Sequence, residues 1–179
     1  SEELAFITSW IDRGADTQMQ LRELPLSDSM RMRANSVIAQ YEQPGTEPKY
    51  KFEFVSRDVI QNLNTPYRTV LQIARNEPAL QVDFFLSGSF QHQFLEELLL
   101  VKDQIVSLNL SKMPVNDNSL LTIAQFINLE KLILNGTRIT GSGLKNLASL
   151  QNLRSISVSG TATDLAGLET LATNPGINE

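Results

Sequence analysis

The sequence predicts an α/β fold: a short solenoid of 24-residue strand–turn–helix units in the second half, an α/β cap before it and a helical appendage at the amino end. Three observations lead there. Apolar residues recur in phase: Ile105, Leu129, Leu153 and Ile177; Leu108, Leu132 and Ile156; Leu110, Leu134 and Val158; Leu120, Leu144 and Leu168; Ile123, Leu147 and Leu171. A fixed period of this size marks stacked repeats. Each unit also changes its internal period. Leu132-Ile133-Leu134 alternates as a strand does, whereas Leu144, Leu147 and Leu150 fall three apart as one face of a helix does. Gly136-Thr137 marks the turn and Gly141-Ser142-Gly143 the start of the helix. One strand and one short helix cannot bury both apolar faces alone, so each unit stacks on its neighbours.

The stretch Leu129-x-x-Leu132-x-Leu134-x-x-Thr137-x-Ile139 resembles a leucine-rich repeat. That family usually carries Asn or Cys where this chain has Met113, Thr137 and Thr161. A side chain there turns inward and donates to carbonyls the strand ladder leaves unpaired. Thr137 and Thr161 each have one hydroxyl to donate. Met113 has none, so its turn must use backbone or water.

The remaining elements follow from the amino end. Glu2 to Arg13 reads as a helix stopped at Gly14, and its Leu4, Phe6, Ile7, Trp10 and Ile11 spread over an arc of roughly 160°. So wide a face, holding the only tryptophan, requires a substantial partner surface. A second helix starts near Ser27 or Asp28, with Met30, Ala34, Val37, Ile38 and Tyr41 on one side. Together they form a helical segment, 1–42, and Gln43-Pro44-Gly45-Thr46-Glu47-Pro48 reads as a linker. The cap spans 49–104. Tyr50, Phe52 and Phe54 alternate with charged residues as a half-buried strand. Ser56 caps a short helix bearing Val59, Ile60 and Leu63, which ends near Asn64-Thr65-Pro66, and Thr69 to Ile73 is a further strand. Phe84 and Leu86, 24 residues before Leu108 and Leu110, form the strand that precedes the repeats. Phe94, Leu95, Leu98 and Leu99 make the cap helix, and the Leu98–Val101 run reads as core. Residues 105–179 then hold three units and the start of a fourth.

The first helix carries a second likeness. Glu3-Leu4-Ala5-Phe6-Ile7-Thr8-Ser9-Trp10-Ile11-Asp12-Arg13-Gly14-Ala15-Asp16 resembles the closing helix of the c-type cytochrome domains of Planctomycetes and Bacteroidetes. Some of those proteins continue through a linker into leucine-rich repeats. Ile105-Val106-Ser107-Leu108-Asn109-Leu110-Ser111-Lys112-Met113-Pro114-Val115 is similar to the Bacteroidetes repeats. The resemblance implies that 1–42 is the tail of a cytochrome domain plus a connecting helix, in a protein of the periplasm or of a membrane facing it. It carries no haem function onto any residue, because Cys-x-x-Cys-His is absent. With Pro175-Gly176-Ile177 opening a fourth unit in phase, the expectation is a piece of a longer protein.

Composition excludes several chemistries. No cysteine means no disulfide, no thiolate nucleophile and no cysteine-held zinc or iron–sulfur cluster, and it fits a cytoplasmic home as well as a periplasmic one. His92 is the single histidine, so no multi-histidine metal site forms. The net charge of −5 argues against nucleic acid, and no run of apolar residues is long enough to span a membrane. The acidic excess lies in front: residues 1–104 hold 10 basic and 15 acidic side chains, and 105–179 hold five of each.

Local motifs read as structure. His92 has no acid placed for a triad. Glu96 and Glu97, adjacent on a helix, point about 100° apart and do not face each other as paired glycosidase carboxylates would. Gly141-x-Gly143 lacks the rest of a nucleotide loop. Met30 and Met32 would ligate iron only beside a haem, and Met30 falls on the apolar stripe. No cofactor is expected in this chain.

Binding is expected on the exposed face of the repeat strands: Ser107, Asn109 and Ser111; Lys131, Ile133 and Asn135; Ser155, Ser157 and Ser159. The row is small and polar, with Ile133 its only apolar member and Lys131 its only charge. The expected function is non-enzymatic: a protein-interaction or scaffold module, with an unidentified protein partner, inside a larger extracytoplasmic protein. The alternative is electron transfer, this chain being the carboxyl-terminal part of a c-type cytochrome. Self-association through the open repeat edge after Val158 is also expected.

Overall fold

The computed structural model describes residues 2–15, 24–25, 27–41, 49–172 and 177. The expected linker 43–48, the Pro175-Gly176 step and the side chains of Val37, Ile38 and Tyr41 lie outside the described residues. The chain divides into two compact units, Ser1–Glu47 and Pro48–Glu179. Among the described residues are seven α-helices and one five-stranded mixed sheet. No described helix is long and apolar enough to cross a membrane.

The first unit contains α1 (Glu2–Asp12) and α2 (Ser29–Tyr41). Gly14 takes φ 91°, and the amides of Gly14 and Ala15 bond to the carbonyls of Ile11 and Trp10, closing α1. Asp28 opens α2: its Oδ1 accepts the Met30 amide at 2.8 Å and its Oδ2 the Arg13 guanidinium at 3.0 Å. The hydrogen bond from Arg13 holds the Asp28 carboxyl below its ordinary range. Met30 and Ala34 are buried. The broad face of α1 is divided: Phe6 and Trp10 are half-buried, whereas Leu4, Ile7 and Ile11 stay exposed.

The second unit begins with a strap. Tyr50, Phe52 and Phe54 were expected to form a strand, but no strand exists between 49 and 56. Only Tyr50 and Phe52 are half-buried; Phe54 is 56% exposed, and Val55 packs against the core in its place. The rings of Tyr50 and Phe52 lie 5.3 Å apart, and the amides of Lys49 and Tyr50 donate to the Glu77 carboxylate. Lys49 Nζ reaches Glu130 Oε2 at 3.2 Å and the Glu53 carbonyl accepts from Gln104. Glu77, Gln104 and Glu130 each precede a strand of the sheet, so the strap runs along their starting ends.

Next come α3 (Arg57–Leu63), capped by Ser56 Oγ accepting the Val59 amide, then β1 (Arg68–Gln72) and β2 (Leu80–Phe84). After a 3₁₀ turn at Ser87–Ser89 follow α4 (Gln93–Glu96), with a 3₁₀ extension Glu97–Val101, and β3 (Ile105–Asn109). The chain continues through α5 (Asp117–Ile123), β4 (Lys131–Ile133), α6 (Gly141–Leu144), β5 (Ser155–Ser157) and α7 (Leu165–Ala172). The strand order is β1-β2-β3-β4-β5. β1 and β2 are antiparallel; every later pair is parallel.

The 24-residue step governs the pairing of β3, β4 and β5: Ser107 pairs Lys131, which pairs Ser155. It fails at the cap. Val82, not Phe84, pairs Leu108, a separation of 26 residues (108 − 82), after an irregularity between Leu80 and Gln81. A slip of two keeps every side chain on the same face, so apolar alternation alone does not reveal it. Leu86 lies beyond the strand in a left-handed conformation with φ 69°, exposed. Leu100 is likewise 73% exposed, a correction to the expectation that the whole Leu98–Val101 run is core.

The core follows the repeat. Leu108, Leu110, Leu120 and Ile123 of one unit, and Leu132, Leu134, Leu144 and Leu147 of the next, are fully buried, each stabilising by about 2 kcal/mol. The spacing of three among Leu144, Leu147 and Leu150 suits the 3₁₀ turn Lys145–Leu147, in which such residues lie above one another. Thr137 Oγ1 donates to Leu134 O and Thr161 Oγ1 to Val158 O, as expected for inward-turned repeat residues; at Met113 the backbone amide alone bonds Leu110 O.

One buried charge locks the cap. Arg68 is 1% exposed, and its guanidinium donates to the carbonyls of Leu63 (2.8 Å) and Phe94 (2.7 Å) and pairs with Glu97 Oε2 at 3.0 Å. It thereby ties α3, β1 and α4 together.

Candidate functional site

Strand alternation sends Leu108 and Leu132 into the core and their neighbours to the opposite face. Because paired residues share a face, the registers define two rows across all five strands. One runs Leu71, Gln81, Ser107, Lys131, Ser155; the other Thr69, Asp83, Asn109, Ile133, Ser157. Ser111, Asn135 and Ser159 continue the face beyond the ends of β3, β4 and β5. All nine residues expected from the sequence therefore lie on one surface. Sequence reasoning missed the four that the first two strands add: Thr69, Leu71, Gln81 and Asp83. The only signal for them was in the cap strands, where the 24-residue phase does not hold.

The face is braced by its own polar groups. Asn109 Oδ1 accepts the amide and hydroxyl of Ser111 at 3.1 and 2.7 Å, and its Nδ2 donates to Asp83 Oδ1 at 3.1 Å. Gln81 Nε2 donates to the other Asp83 oxygen at 2.7 Å. Asn135 Oδ1 accepts from Ser157 Oγ at 2.7 Å and the Ser159 amide at 2.8 Å. These bonds fix the rotamers of the middle strands. Lys131 and Ser155 remain exposed, Ile133 is half-buried, and Leu71 is 55% exposed at one border. Asp83 on β2 and Lys131 on β4 stand two strands apart and in neighbouring rows, about 12 Å at the usual spacings. The surface thus carries one anion, one cation and apolar contacts at Leu71 and Ile133 on a rigid frame.

Nothing matches the chain among protein-family models, curated proteins or solved structures.

The other residues weighed for chemistry lie outside this face. His92 Nε2 lies 3.2 Å from Thr122 Oγ1 and 3.9 Å from Glu96 Oε1. Both contacts use the same nitrogen, so no hydroxyl–imidazole–carboxylate relay runs through the ring. His92 lines an open cleft of about 360 Å³ with Phe90, Pro114, Asn116, Asn118 and Ser119. Glu97 turns to Arg68 while Glu96 faces His92, so the two carboxylates diverge. A Cβ at Gly141 would stand 2.1 Å from Asp164 Oδ1, and one at Gly143 2.2 Å from Asp117 Oδ1; close packing between successive units requires both glycines. Met30 is buried and Met32 is 53% exposed. Among the described residues no group of three or more His, Asp or Glu could hold a metal ion.

Proposed function

We propose that the chain is a non-enzymatic protein-interaction module: a short leucine-rich-repeat solenoid whose braced sheet face takes an elongated polypeptide partner. The observation that carries this reading is the pair of five-residue rows. They place Asp83, Lys131, Leu71 and Ile133 on one frame whose asparagines are already hydrogen-bonded. A frame of fixed rotamers loses little entropy on binding, and separated charges set the direction of the bound segment. The repeat assignment is supported by the 24-residue pairing of β3, β4 and β5 and by the Thr137 and Thr161 hydroxyl bonds. Membership of a larger extracytoplasmic protein rests on the sequence resemblance alone.

Site-specific photo-crosslinking in the native host tests the reading. A photoreactive residue at Ile133 yields one discrete protein adduct, whereas the same residue at Leu121 or Ile127, exposed on α5 and the loop after it, yields none. Lys131→Glu lowers the Ile133 adduct about tenfold, the loss expected for one directing charge of roughly 1.4 kcal/mol. Equal adducts from both sides, or none from Ile133, overturn it.

A further inference from the structure

The two-residue slip of the cap changes which residues are equivalent. Val82 pairs Leu108, Leu108 pairs Leu132 and Leu132 pairs Ile156, so the residues four further on, Leu86, Lys112, Gly136 and Gly160, hold one place along the sheet. All four are left-handed, with φ 69°, 62°, 66° and 68°. Glycine takes this conformation without strain, whereas a bulky side chain takes it at a cost. At Leu86 burial in the core does not offset that cost, because the residue is 59% exposed. Its neighbour Phe85 is 42% exposed. One residue past β2, the Phe85 amide still bonds Tyr67 O at 3.0 Å, so strand alternation buries Phe84 and carries Phe85 to the face of Asp83. Asp83 is held but not neutralised. Asn109 and Gln81 each donate to one of its oxygens, and it forms no ion pair among the described residues.

We infer that Phe85 and Leu86 are the apolar anchor of the interaction face, and that the polypeptide segment bound there sets an aliphatic or aromatic side chain on them and a lysine or arginine, two positions away, on Asp83. This rests on the interaction reading and names what the face selects. A strained leucine left in water is accounted for when a partner's contacts offset the strain, and the fixed backbone presents it without further ordering. Phe85 and Asp83, two apart on one side of the chain, stand about 7 Å from each other, and alternate residues of an extended segment share that spacing and one side. One segment therefore reaches both. The Asp83 carboxylate, oriented by two amides and lacking a cation, selects the positive charge. An anionic segment meets repulsion at Asp83, and an uncharged one strips water from the carboxylate without pairing it.

The sign of one substitution separates this role from a structural one. Leu86→Gly relieves the strain, so it raises the urea midpoint while it weakens binding; a leucine kept for the fold would lower the midpoint. Binding is read with random heptapeptides displayed on phage and selected against the whole chain. Selected peptides carry an apolar residue and a lysine or arginine two apart. Leu86→Gly and Phe85→Ser each lower capture of a selected peptide about tenfold, as loss of an anchor residue does. Selection against Asp83→Lys puts Asp or Glu in place of the basic residue. Peptides that crosslink to a photoreactive residue at Ile133 but lack this pattern, or that bind Leu86→Gly undiminished, overturn the inference and leave the interaction reading standing. A lowered urea midpoint in Leu86→Gly also overturns it. If no peptide is selected, both fall.

Discussion

The side-chain amide of Asn64 stands in for a neighbouring strand at Val70, accepting its N–H at 2.8 Å and donating to its C=O at 3.0 Å. One side chain thus satisfies two backbone groups of an edge strand that another chain would otherwise seek. Asn64→Ala leaves both unpaired beside a fully buried Val70. The expected loss is about 1–3 kcal/mol, read as a lower urea midpoint at unchanged slope.

Arg68 is the buried charge on which the cap depends. Arg68→Leu leaves the carbonyls of Leu63 and Phe94 without their donor and is expected to cost about 3–5 kcal/mol. Glu97→Gln keeps an acceptor at a site one-third exposed to water and should cost about 1 kcal/mol. Thermal unfolding of the two variants distinguishes them; equal losses would mean that the ion pair, not the carbonyl bonds, holds the cap.

Lys112, Gly136 and Gly160 occupy the same place in successive units and share φ values of 62°, 66° and 68°. Only the first carries a side chain in this left-handed region. Lys112→Gly is therefore expected to stabilise by about 1 kcal/mol, and Gly136→Ala to destabilise by about as much. Denaturant midpoints that move in the same direction for both would contradict the assignment.

The strap predicts an alkaline limit. The Tyr50 hydroxyl, and then Glu130, raise the Lys49 ammonium above its ordinary 10.5, and burial raises the Tyr50 phenol above its ordinary 10.0. Both groups hold their protons more tightly folded than unfolded. Their contribution is thus complete at neutral pH and falls away once the pH passes about 10. Glu130→Gln should flatten this decline, as followed by the unfolding midpoint between pH 8 and 11.

Much of the repeat half is legible in the sequence because a constant step and a two-residue alternation leave little freedom. Leu108, Leu132 and Ile156 name their own strands, and the nine face residues follow from them. The cap was harder for specific reasons. Its slip of two residues preserves the apolar alternation at Val82 and Phe84, so the register error is silent. Tyr50 and Phe52 mimic a strand because a strap pinned by a ring contact and a carboxylate also alternates, whereas Phe54 breaks the pattern by standing 56% exposed. Arg68, at the head of a strand, has the composition of a solvated residue; its burial depends on two carbonyls that no local pattern shows. One readable signal passed unused: Asn116, Thr140 and Asp164 stand 24 apart and all cap helix starts or brace them. Their in-phase polarity marks the beginning of α5, α6 and α7.

The constant return distance between β3, β4 and β5 also sets how the molecule assembles in time. Each parallel pairing closes a loop of the same length, so each costs the same chain entropy and none waits on a distant contact. The β1–β2 hairpin, closed over the shortest separation and bolted by Arg68, is then the place where order starts. Zipping proceeds strand by strand toward β5, and opening runs in reverse. Amide exchange should accordingly slow from β5 back to β2, so that a single chain displays a graded series of lifetimes instead of one cooperative value.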